Sequence, residues 1–230
     1  TVGAIIKMSA MSQAVYNETE KTYFASAATN PLVLTDIYNQ TCNIAIWKRS
    51  LPTAFLQQVS QDINNNSFMT KVLQVRSNNI EDDIAALADD RIYGEQLRNY
   101  IHEIVDMFCV LFDTKVAGLR LSVLNKAMCP RFHYDRVPCR LVTTFCGSGT
   151  EWLPNDKINP SKLGHGSGGK SDEKSGLLHH PDDIQQLACG DVALLKGDTW
   201  EGNEGGALVH RSPALKPNEN RLLLTLDFVA

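Results

Sequence analysis

Residues 129–145 read CPRFHYDRVPCRLVTTF. They contain a histidine and an aspartate one residue apart, His133 and Asp135, with arginines on both sides. In an extended strand, residues i and i+2 project from the same face. His133 and Asp135 then point together, while Phe132 and Tyr134 point away. One imidazole and one carboxylate are two of the three ligands of a facial metal site. A histidine from another strand completes the set, leaves coordination positions open, and suits non-haem Fe(II). His210, in ALVHRSPALKPNENRLLLTLDF, is the candidate third ligand. A second His-x-Asp triplet, His180-Pro181-Asp182, lies in HHPDD. Pro181 opens a short polar turn there, and little chain separates His180 from His210 for the intervening strands. That segment is expected to be structural, with Asp182 or Asp183 capping a helical turn, and His179 and His180 outside the metal site.

Ten or so residues beyond His210 comes Arg221. If the chain folds back in a hairpin centred near Lys216, His210 lies opposite Leu222, beside Arg221. A guanidinium there can grip a carboxylate in a planar fork. Thr225, four residues on and on the same face, would add a hydroxyl. Three further arginines, Arg131, Arg136 and Arg140, lie within ten positions. Together they suggest a local cationic pocket for a small anionic ligand.

These residues need a scaffold. Apolar residues 51, 55, 59 and 63 recur at helical spacing. A longer helical stretch runs from about Ile84 to Phe112. Within it, Leu97, Ile101, Ile104, Phe108 and Leu111 mark one face, and Gly94 is a candidate break. NIAIWKR, residues 43–49, and FMTKVLQVR read as strands. Residues 1–40 are expected to be irregular and to wrap the rest. After residue 115 the period becomes that of strands: VAGLRLSVL, RFHYD, RLVTTF, DVALLKG, GALVH and RLLLTLDF. In the last run, Leu222, Leu224, Leu226 and Phe228 share one face, and Arg221 and Thr225 the other. The expected fold class is α+β, a jelly-roll barrel buttressed by N-terminal helices. Residues 1–115 would form a mainly helical region packed on a barrel of residues 116–230, the two folding as one cooperative unit. The segment 154–183, rich in Gly, Ser, Lys and Asp, is expected to be a surface loop overhanging the barrel mouth.

Composition narrows the classes. A formal charge of −4 argues against general nucleic-acid binding. No run approaches the roughly 20 apolar residues of a membrane span. The first residues lack a charged segment followed by an apolar core, so no secretion signal is expected. The six cysteines show no C-x-x-C pair, which favours reduced thiols and a cytoplasmic location. Cys139, Cys146 and Cys189 lie near the candidate site in sequence, where thiolates would recruit zinc in place of iron.

The run from 129 to 230 resembles the Fe(II)/2-oxoglutarate-dependent dioxygenases of the double-stranded β-helix fold, in their prolyl-hydroxylase-like branch. The motifs HYD, RLVT, GSGTEW, CGDVALL, LVH and Arg221 stand in that family's order. The resemblance implies His133, Asp135 and His210 as iron ligands and as the catalytic centre. It implies 2-oxoglutarate as co-substrate, anchored by Arg221 with Thr225 assisting. The family's usual tyrosine on the strand after His-x-Asp is missing from TTFCGSG, so either Thr143 takes its part or the acid binds differently. Arg136, Arg140, Glu151, Lys196 and Arg211 are the candidates for a pocket holding a small-molecule or peptide substrate. The wording of most of the chain also resembles an uncharacterised bacterial domain family. The alternative function is a non-catalytic zinc-binding or metal-sensing jelly roll using the same three ligands.

Overall fold

The computed structural model describes residues 21–65, 70–85, 87 and 94–229. The reading of residues 1–20 as irregular, and parts of the strand near 70 and of the helical stretch near 90, lie outside them. Two sheets organise the chain. The larger has seven strands: β1 (Phe24–Ala28), β2 (Cys42–Trp47), β3 (Lys71–Arg76), β4 (Val116–Leu124), β5 (Cys139–Cys146), β8 (Val192–Lys196) and β10 (Arg221–Phe228). Their spatial order is β1-β2-β8-β5-β10-β4-β3. Only β1 and β2 pair in parallel; the other neighbours are antiparallel. The smaller sheet has β6 (Glu151–Leu153) between β7 (Gln185–Gln186) and β9 (Val209–Arg211). The described pairings leave these as two separate sheets.

Helices cover one face of the large sheet. In α1 (Thr53–Asn65), Phe55, Val59 and Ile63 are buried. In α3 (Gly94–Leu111), Leu97, Ile101, Ile104, Val105 and Phe108 are buried. They join Leu222, Leu224 and Leu226 of β10, Leu141 of β5, and Leu119 and Leu121 of β4 in one apolar cluster. Each such side chain contributes about 1.5–3 kcal/mol through burial. The alternation read from RLLLTLDF thus turns Leu222, Leu224 and Leu226 toward the helices and Arg221 to the other face. Gly94 opens α3 at φ +50°, a conformation that costs other residues more, which is why the helical pattern breaks there. A short α2 (Ile80–Ala85) precedes it. No described helix is long and apolar enough to cross a membrane.

The opposite face of the large sheet meets the small sheet. Ile44, Ile46, Val142, Ala193 and Leu195 pack against Trp152, Leu187 and Leu208. β2 and β8 are therefore buried on both faces, and read as continuous apolar runs with no alternation.

Three sequence expectations need correction. Residues 24–28 form an edge strand and Pro31–Tyr38 a 3-10 helix, where irregular chain was expected. FASAA lacks the β-branched alternation that signals a strand; β1 exists because β2 offers it a partner. β9 and β10 are not a hairpin, because β9 pairs with β6 and β10 with β4 and β5. The chain between them crosses from the small sheet to the large one. Finally, β1, β2 and β3 come from the first hundred residues yet lie in the same sheet as β10, so the change of period near residue 115 marks no break in the fold.

Candidate metal centre

His133 and His210 face each other across a single antiparallel bridge. The His133 amide donates to the His210 carbonyl at 3.0 Å, and the His210 amide returns the bond at 2.8 Å. A directly opposed pair projects its side chains from one face, and the two ring centroids stand 4.7 Å apart. His210 also lies opposite Trp152, whose indole belongs to the cluster between the sheets. The histidines thus face the inter-sheet space. Asp135 follows by the two-residue period, although the chain forms no strand beyond the bridge at His133. Phe132 turns to the opposite side, into a small cluster with Leu153, Ile158, Leu177 and Val209.

Candidate ligand atoms of the three residues lie within 4.8 Å of one another. Asp135 Oδ1 is 3.8 Å from His133 Nε2, and Oδ2 is 3.5 Å from His210 Nε2. Ligand atoms about 2.0–2.2 Å from one ion stand about 3–3.5 Å apart, so a small contraction would close the site. Both tautomers are set for it. His133 Nδ1 meets the Arg131 carbonyl at 2.9 Å and His210 Nδ1 meets the Leu208 carbonyl at 3.2 Å. A carbonyl can only accept, so each Nδ1 carries the proton and each Nε2 keeps its lone pair for the shared point. Burial lowers the His133 pKa, and the facing His210 lowers it further. Burial opposes ionisation of Asp135, yet in the metal-free protein a protonated His210 and Arg140 overcome it and hold its pKa at about 2. These directions favour the deprotonated, ligand forms of His133 and Asp135. Exposure is graded, from 9% for the His210 side chain to 36% for His133, so the open side of the group lies at His133.

Two neighbours hold Asp135 in place. Arg140 Nη1 donates to Asp135 Oδ2 at 2.7 Å, while its Nε and Nη2 grip both oxygens of Asp227 at 2.8 and 3.0 Å. Gly197 and Asp198 donate backbone bonds to Pro138 and Asp135. A Cβ at Gly197 would stand 1.9 Å from the Val137 carbonyl oxygen and 2.8 Å from that of Asp135. Only glycine lets the end of β8 pass so close to the ligand-bearing turn.

Arg221 is 1% exposed. Its Nε and Nη2 reach Thr144 Oγ1 at 3.3 and 3.0 Å, and Nη2 reaches Thr150 Oγ1 at 2.7 Å. It bridges the large sheet to the start of the small one, in the space His210 faces. Among the described residues it pairs with no carboxylate. Glu219 accepts from Ser148 and the Lys216 amide, and Asp227 is taken by Arg140. Burial without a counter-ion lowers the Arg221 pKa to about 10. An uncompensated buried cation is costly, and the fitting partner is an anion.

The other candidates are distributed differently. Thr143 points to the helix side, with Leu141 and Phe145, and its Oγ1 has no partner. Thr144 and Thr150 are the threonines at Arg221. Thr144 was missed because RLVTTF is buried on both faces, so alternation there is unreadable; Thr150 lies in the turn before β6, where no periodicity marks it. Thr225 lies on the inner face but opposite Arg120, and Arg221 bonds to Thr144 and Thr150 instead. Lys196 also points to the helix side: its Nζ donates to the Asn39 carbonyl at 2.8 Å and lies over Trp200. Arg211 is saturated by Glu151, Asp172 and Glu173 and stacks on Phe132. Arg211 and Glu151 are thus paired with each other. Arg136 is exposed beside the site.

The segment 154–183 forms a series of short helical turns, including α4 (Asp172–Ser175). Buried Asp172 pins it beside the metal group by accepting from Arg131, Arg211 and the Phe132 amide. His180 caps the turn at Pro181–Asp183, with Asp183 reciprocating. The three cysteines do not join the group. Cys139 is buried on the helix side with its thiol pKa raised by burial, and burial raises that of Cys189 to about 11.

A family model described as "Protein of unknown function (DUF1826)" matches residues 28–227. The chain belongs to this family. No curated protein is detectably similar to it in sequence. Among solved structures, this DUF1826 chain is similar to dioxygenase for auxin oxidation 1 from Arabidopsis thaliana, seen in complex with 2-oxoglutarate. That similarity has a TM-score of 0.49 at 9% identity and covers 91% of this chain and 93% of that one. The rice dioxygenase for auxin oxidation gives 0.49 at 11% identity, covering 90% and 83%. A Pseudomonas putida prolyl-4-hydroxylase gives 0.43 at 10% identity, covering 85% and 91%.

Proposed function

We infer that this DUF1826 protein is a non-haem Fe(II)/2-oxoglutarate-dependent oxygenase, its two sheets being the halves of a double-stranded β-helix. One observation carries the reading: a buried guanidinium without a carboxylate partner, Arg221, shares the inter-sheet space with a His-Asp-His group whose two Nε2 atoms are free. The ordered motifs from His133 to Arg221 support it independently.

The residues fit both groups. His133, Asp135 and His210 would hold the metal by Nε2, a carboxylate oxygen and Nε2. This N/O donor set without thiolate suits Fe(II), and the protonated, inert thiols of Cys139 and Cys189 weigh against a Cys-bound zinc. Three protein ligands leave positions open for the co-substrate and O₂. Arg221 would receive the distal carboxylate of 2-oxoglutarate, with the Thr144 and Thr150 hydroxyls orienting its fork. The chemistry supplied by the bound groups is oxidative decarboxylation of the keto acid coupled to oxidation of a substrate by O₂. The chain's own part is placement and exclusion of water. Arg140 fixes the orientation of the Asp135 carboxylate. Ile44, Val142 and Leu208 pack in the apolar layer between the two sheets. The exposed edge of His133 is the side on which a substrate arrives.

Anaerobic protein loaded with Fe(II) tests the reading. Adding 2-oxoglutarate should produce a visible metal-to-keto-acid charge-transfer band, and none should form in a His210→Ala variant. Tight metal binding with no such band would leave the zinc-binding or metal-sensing alternative.

A further inference from the structure

Arg140 has a second face. Away from Asp135 it lines a cavity of about 290 Å³ together with Arg120, Ser122, Met128, Leu223, Thr225 and Asp227. The cavity floor is the inner face of β4 and β10, where Arg120 lies opposite Thr225 and Ser122 opposite Leu223. Its volume is near the lower end of ligand pockets, about 300–1,000 Å³. That suits a small molecule or a single side chain.

Two features of the lining have no internal use. Ser122 is 0% exposed, and its Oγ has no hydrogen-bond partner. A buried hydroxyl left unpaired is destabilising unless something in the cavity meets it. Arg120 is the second. Arg140 divides its charge between Asp227 and Asp135, so the one charged side chain of the lining without an ion pair among the described residues is Arg120, which is exposed. The arrangement is an unpaired cation at the rim above a polar floor.

We propose that this cavity is the substrate subsite, and that it selects a small organic anion whose acid group meets Arg120 and whose second polar group reaches Ser122 Oγ. The proposal rests on the oxygenase reading for the word substrate. The anion selectivity itself stands on the cavity alone. Because Arg140 is both the cavity wall and the partner of Asp135, a ligand lodged there lies one side chain from the metal group. Arg120 would serve the substrate while Arg221 serves the co-substrate, so two anions are held apart by separate cations.

The test labels the cavity directly. Ser122→Cys is a near-isosteric change, and Thr225→Cys is a second position should the first fail to fold. Each variant is treated with methanethiosulfonates carrying either a sulfonate or a trimethylammonium group. Modification at the introduced cysteine is followed by peptide mass spectrometry, and each rate is divided by that reagent's rate with free cysteine. The anionic reagent should react at least about tenfold faster than the cationic one. Adding Arg120→Gln should bring the ratio close to one. A ratio unchanged by Arg120→Gln, or labelling at neither position, overturns the proposal. Metal content of the Arg120→Gln protein, measured by equilibrium dialysis, separates the two readings. Wild-type-like metal binding with lost anion preference supports the subsite. A wild-type protein that holds no metal removes the oxygenase reading and leaves the selectivity result intact.

Discussion

Replacing Arg221 by methionine removes one buried cation and keeps most of the side-chain volume. The arginine is 1% exposed and, among the described residues, its side chain donates only to two threonine hydroxyls. In the ligand-free protein, losing an uncompensated charge is neutral or stabilising. Exchange of buried ionic groups for apolar ones of similar volume gains about 1–4 kcal/mol in favourable cases. Two hydroxyls lose a donor, at a cost of about 0.5–1.5 kcal/mol for each bond. The net change in unfolding free energy should therefore be small. Co-substrate binding should change far more. A charge-assisted bond to a carboxylate contributes about 1.5–3 kcal/mol, so 2-oxoglutarate affinity should fall at least tenfold, at about 1.4 kcal/mol per factor of ten. Arg221→Lys keeps the charge but loses the fork and should recover only part of this. Calorimetric titration of metal-loaded, anaerobic protein measures the affinity, and denaturant unfolding of the apo form measures stability. Equal 2-oxoglutarate binding by wild type and Arg221→Met would refute the anchor. A large stability loss with unchanged binding would make Arg221 a structural strut.

Alanine at His133, Asp135 or His210 should reduce metal affinity at least about tenfold by equilibrium dialysis, whereas His180→Ala should leave it unchanged, since His180 caps a remote turn. Gly197→Ala should destabilise the protein by about 1–3 kcal/mol in urea unfolding and also weaken metal binding, because its Cβ would collide with the carbonyls of Val137 and Asp135. Apo protein should lose stability on acidification in two windows. The His133 pKa is lowered from 6.5, so the unfolded chain binds the proton first and stability falls as pH drops below about 6.5. Asp135 titrates at about 2 when folded and 3.8 otherwise, so its contribution is present above 3.8 and lost as pH falls toward 2. Arg140→Met removes one cause of the Asp135 shift and should move that second loss to higher pH, read from unfolding free energies across pH.

Much of the site was legible where the pattern was local. The two-residue period set His133 and Asp135 on one side, and the alternation of RLLLTLDF turned Leu222, Leu224 and Leu226 away from Arg221. Helical spacing marked Phe55, Val59 and Ile63, and Leu97 to Phe108, as core. HHPDD was legible as a capped turn because Pro181 and the flanking acids act within three residues. These features depend on backbone geometry between neighbours, which sequence states directly.

Tertiary structure decided what depends on a second segment. RLVTTF is buried on both faces, so no alternation distinguished Thr143 from Thr144; the orientation of β5 against the helices chose Thr144 as the hydroxyl facing Arg221. Lys196 and Arg211 had the charge of substrate ligands, but their partners, Asn39 and the Glu151–Asp172–Glu173 group, come from segments 38 to 157 residues away. The role of Arg140 required Asp227, 87 residues on. The strand at 24–28 exists only because β2 presents an edge to it. Charge and hydrogen-bond capacity are properties of a residue, and the sequence alone determined them. Whether that capacity is already satisfied or left open for a ligand is a property of the neighbours, and only the packing of the two sheets decided it.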